Sequence, residues 1–81
     1  MRIRFLLFAL YRDLAGAAEL ELEVRDGSDA GAAVAALRLH NQRLAALPPR
    51  PVIAINREYA GLDARLREGD ELALLPPVAG G

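Results

Sequence analysis

Along residues 2–8 the odd positions Ile3, Phe5 and Leu7 are apolar while Arg2 and Arg4 are charged. This is the period-two alternation of a strand with one face in a core. Leu6 and Phe8 make the far end of the second face apolar as well. Residues 19–25 alternate without a fault, with Leu20, Leu22 and Val24 inward and Glu19, Glu21 and Glu23 outward. Paired as a hairpin, the two runs set these glutamates opposite Arg2 and Arg4, which supports the register by roughly tenths of a kcal/mol per pair. The segment between them, with Arg12, Asp13 and Gly16, is expected to be a loop.

Asp26-Gly27-Ser28-Asp29 is a turn leading into a helix, with Ser28 expected as N-cap and Asp29 favourably placed at the positive end. A helix over residues 29–42 puts Ala33, Val34, Leu37 and Asn41 on one side and leaves Arg38 and Gln42 at least partly in water. Leu47-Pro48-Pro49-Arg50-Pro51 cannot continue it and forms an extended connector. Val52-Ile53-Ala54-Ile55-Asn56 is apolar on both faces, the pattern of an interior or covered strand. Residues 57–61 make a turn with a short rejoining segment, and Arg67-Glu68-Gly69-Asp70 a second turn. The last strand, Glu71-Leu72-Ala73-Leu74-Leu75, is stopped by Pro76-Pro77, which lack ladder donors.

The order is strand, strand, helix, strand, strand, an α+β arrangement shared by β-grasp domains and by unrelated sandwiches. If the first and last strands are neighbours, their long helical connection requires parallel pairing. The chain would then leave the sheet at its centre.

Composition narrows the function classes. The 81 residues suffice for a single domain, with 76–81 as its tail. There is no cysteine, so disulfide scaffolds, thiolate metal sites and a cysteine nucleophile are excluded. No targeting or membrane-spanning segment is evident, and the cytoplasm is the expected compartment. A net charge of −1 with scattered arginines gives no reason to expect nucleic acid. His40 has no His or Cys nearby, and Glu19, Glu21 and Glu23 form a solvated, Arg-paired face, so no metal site is expected. All ten basic residues are arginine, leaving no side-chain amine.

The chemistry concentrates at Gly80-Gly81, expected to be the true C-terminus. Average glycine usage ends a chain this way roughly once in two hundred times. A tail without side chains can lie extended in a narrow channel and present its carboxylate to a buried site. Carboxylates resist nucleophiles, but an acyl-adenylate made with ATP has a good leaving group, and attack by sulfur leaves a thiocarboxylate at Gly81. The chain has no Gly-x-x-x-x-Gly-Lys loop, so the activating enzyme must be another protein. Leu6, Phe8 and Leu75 form an apolar patch on the side away from the helix, extended by Tyr59 and Pro76, where a partner can dock. Arg12 beside it is a candidate for holding a partner's carboxylate or the activating enzyme.

Phe8-Ala9-Leu10-Tyr11-Arg12-Asp13-Leu14-Ala15-Gly16 resembles the first strand and following turn of molybdopterin synthase small subunits. Asn56-Arg57-Glu58-Tyr59 is similar to their mid-chain turn, Glu68-Gly69-Asp70-Glu71-Leu72 to their approach to the last strand, and Leu75-Pro76-Pro77-Val78-Ala79-Gly80-Gly81 to their terminal signature. The resemblance implies an α+β, ubiquitin-like β-grasp fold, a mixed sheet packed on one main helix with a flexible Gly-Gly tail. It implies a sulfur carrier without bound cofactor, whose Gly81 is adenylylated by a ubiquitin-activating-type adenylyltransferase using ATP and converted to a thiocarboxylate. The tail, Pro77, Val78 and Ala79 included, then enters a large synthase subunit within a heterotetramer. That subunit carries the catalytic side chains, and the sulfur builds the molybdopterin dithiolene on a cyclic pyranopterin monophosphate. Phe8, Tyr59 and Leu75 match positions at the large-subunit interface. Donation to a thiamine precursor or to tRNA, conjugation to lysines as a protein modifier, and a plain interaction module with incidental glycines are the alternatives.

Overall fold

Five strands and two helices occur in the order β1 (Arg2–Leu7), α1 (Ala9–Ala15), β2 (Glu19–Glu23), α2 (Ala30–His40), β3 (Val52–Ile55), β4 (Glu58–Ala60) and β5 (Glu71–Leu75) in a computed structural model that describes residues 1–76. A 3₁₀ turn, Gln42–Ala46, follows α2. One sheet holds all five strands in the order β2-β1-β5-β3-β4. β1 pairs antiparallel with β2 in the expected register, Arg2 opposite Glu23 and Arg4 opposite Glu21, and parallel with β5. The strand that leads into the tail is therefore the central one.

Alternation in each strand sends one set of side chains to α2 and the other to the open face. Ile3, Phe5, Leu7, Ile53, Leu72 and Leu74 meet Ala33, Val34 and Leu37 of α2 in a core completed by Leu44, Leu47 and Leu66. The helix is shorter than residues 29–42, and its N-cap is Asp29, not Ser28. Asp29 Oδ1 accepts from the Ala32 N–H at 2.8 Å, while Ser28 Oγ donates to the Arg25 carbonyl. The segment after β4 decides between the two, because its Ala64 and Leu62 carbonyls accept from the Ala30 and Gly31 N–H groups. The first helical turn is thereby held from outside the helix.

The expected loop between β1 and β2 contains α1. Five of its seven residues are Ala, Leu or Arg, good helix formers, Tyr11 reaches the core at 4% exposure, and Gly16 at φ 79° closes the helix, its N–H donating to the Arg12 carbonyl at 2.9 Å. Asn56 and Arg57 connect β3 to β4 as a two-residue loop with φ 51° and 72°. This is the type I′ geometry, which costs a non-glycine residue on the order of 1 kcal/mol.

Arg38 fastens the proline connector, its guanidinium donating to the Leu47 carbonyl at 2.7 Å and to that of Pro48. Replacing Arg38 with Met keeps the apolar stem and strips both carbonyls of their donor. Stability is expected to fall by about 1–2 kcal/mol in urea unfolding. An unchanged midpoint would mean that water satisfies the connector equally well.

Candidate functional site

The open face of the sheet divides into two halves. Strand register places Leu6, Ala73, Ala54 and Tyr59 in one row across four strands. In the next row toward the tail Leu75 pairs with Val52, and Phe8 stands one residue past the Leu7–Leu74 pair. Tyr59 is 81% exposed, Val52 52% and Phe8 44%, large apolar side chains left to solvent. The other half is ionic and paired within itself. Arg4 meets Glu71 at 2.8 Å, and Arg2 meets Glu23 at 3.3 Å and Glu21 at 3.5 Å.

Each anchor is set by backbone geometry. Phe8 is the N-cap of α1 with extended φ and ψ of −121° and 155°, and its carbonyl accepts the Tyr11 and Arg12 N–H groups. That junction bends sharply, since Ala9 sits at φ 48°. Arg12 lies one helical turn from Phe8, exposed, with its Nε 3.9 Å from Asp13. Pro76 follows β5 directly and is half-buried. The central strand thus ends at the margin of the apolar half, so whatever docks there also meets the root of the tail.

Residues 5–81 match the ThiS family. The chain belongs to this family. Over all 81 residues, covering 84% of the relative, it is 36% identical to the molybdopterin synthase sulfur carrier subunit of Arabidopsis thaliana. It superposes with a TM-score of 0.85 on the crystal structure of small archaeal modifier protein 1 from H. volcanii, at 29% identity over 95% of this chain and 98% of that one. It also superposes, with a TM-score of 0.69 and 23% identity over the whole of both chains, on a chain from a complex of subunits 1 and 2 of molybdopterin-converting factor from Helicobacter pylori. The fold is the ubiquitin-like β-grasp that the family resemblance implies, one of the two arrangements the element order left open.

In this ThiS-family chain Phe8, Tyr59 and Leu75 share one face with Leu6, as the alternation predicts, with Pro76 at its edge. Pro77, Val78, Ala79, Gly80 and Gly81 lie outside the described residues. Val52 belongs to the same surface and was not singled out from sequence. Strand β3 is interior, as expected, yet the face bearing Val52 is open rather than covered. The even positions of residues 52–56 carry that signal, but a run apolar on both faces hides it. Among the described residues no group of three or more His or acidic side chains is placed to hold a metal. No described helix is long and apolar enough to cross a membrane.

Proposed function

We propose that the chain is the sulfur carrier and small subunit of a molybdopterin synthase. The Gly81 carboxylate oxygen attacks the α-phosphorus of ATP on a separate ubiquitin-activating-type adenylyltransferase, and pyrophosphate leaves. A sulfur nucleophile then attacks the acyl carbon, AMP departs with the carboxylate oxygen, and a thiocarboxylate remains. In the large subunit each thiocarboxylate gives up one sulfur to a cyclic pyranopterin monophosphate, water restores the Gly81 carboxylate, and two such transfers build the dithiolene. Two small and two large subunits form the assembly, which works in the cytoplasm, and the carrier itself binds no cofactor. One observation supports this reading above the rest: the central strand of a ThiS-family domain ends beside an apolar sheet face and continues toward a Gly-Gly end.

Intact mass of the full chain, before and after incubation with ATP, a sulfur source and the activating enzyme, tests it. The expected result is a gain equal to the sulfur-for-oxygen difference, reversed on adding large subunit and pterin precursor. No gain would overturn the reading. Kinship with small archaeal modifier protein 1 favours a second role, conjugation of Gly81 to lysines. The acceptor would be another protein, since these 81 residues contain no lysine. Isopeptide-linked adducts in cell extracts would establish that role; a free carrier of altered mass as the sole product would exclude it.

A further inference from the structure

We propose that Arg57 is a specificity contact of the docking face, its guanidinium engaging a carboxylate at the rim of the large subunit. This rests on the docking reading above and adds to it a polar contact at the end of the sheet away from the tail. The two residues of the β3–β4 loop share a left-handed backbone and differ in what they gain from it. Asn56 is engaged through both its N–H and its side chain. Its N–H donates to the Glu71 carbonyl at 2.8 Å, its Oδ1 accepts from the Glu71 N–H at 3.1 Å, and its Nδ2 donates to Asp70 Oδ1 at 3.0 Å. These bonds pin the loop to the start of β5, and the following residue, Arg57, stands at φ 72°.

Glycine is the residue that this position accommodates without strain. The chain carries instead an exposed arginine that makes no ion pair and no side-chain hydrogen bond among the described residues. A strained position with no internal use for its side chain points to an external one. Location gives the chemistry. Arg57 stands two residues from Tyr59 on the same hairpin, at the ionic end of the face, where Arg2 and Arg4 are already neutralised by Glu21, Glu23 and Glu71. Arg57 takes no part in those pairs, and a planar guanidinium suits a carboxylate.

The test measures Arg57→Gly and Arg57→Asn in the full chain, by thermal unfolding of the free protein and by calorimetry against the large subunit at low and high salt. Arg57→Gly is expected to raise the unfolding midpoint by about 2–4 °C. Both variants are expected to bind about fivefold more weakly at low salt and to converge with the unmodified chain at high salt. Unchanged affinity at low salt, or a lowered midpoint for Arg57→Gly, would overturn the assignment. Failure of the unmodified chain to bind would instead remove the docking reading on which it stands.

Discussion

A chain lacking Gly81 is expected to bind the large subunit with nearly unchanged affinity and to deliver no sulfur to the pterin precursor. The separation follows from where each property resides. The core and every strand pairing lie within residues 1–75, so unfolding is expected at the same temperature within about 1 °C. The docking face proposed above is the apolar half of the sheet, which the deletion leaves intact. Chemistry depends on reach. One extended residue spans about 3.3–3.6 Å, and displacing a reacting group by about 1 Å already costs on the order of 100-fold. A carboxylate on Gly80 falls a whole residue short of both the activating and the acceptor site. Intact mass should show no sulfur incorporation, and pterin turnover should drop to background. Retained transfer would refute the carrier mechanism at Gly81.

The elements set by local alternation were legible in the sequence. The β1–β2 hairpin shows its register in the period-two runs and in the opposed Arg and Glu, and the parallel β1–β5 pairing follows from the length of the connection. Elements decided by distant contacts were not. Ser28 and Asp29 are both good N-caps, and the choice falls to a segment more than thirty residues later that supplies the Leu62 and Ala64 carbonyls. Helix α1 is only seven residues long, and of its apolar side chains Tyr11 alone is deeply buried, so no periodicity marks it. The site behaved likewise. Leu6 and Phe8 announced the open face because they break an otherwise charged pattern, while Val52 stayed hidden in a strand apolar throughout.

Among the described residues two exposed apolar side chains of the domain give opposite expectations, and the contrast isolates the docking face. Phe8→Arg is expected to weaken association with the large subunit by about 100-fold or more, the effect of an unpaired charge in a desolvated anchor position. Leu39→Arg is expected to change it less than about twofold. Leu39 is the more exposed, 86% against 44%, so exposure alone predicts the reverse order. What distinguishes them is placement: Phe8 stands in the row of Leu75 and Val52 on the open sheet, whereas Leu39 lies on α2. Neither change should unfold the free domain. Phe8 holds α1 through its backbone carbonyl, which arginine also supplies, and its extended backbone suits any residue. Calorimetry of both variants, with midpoints within about 2 °C of the unmodified chain, would assign the interface to the sheet. Equal affinities for both would remove Phe8 from it.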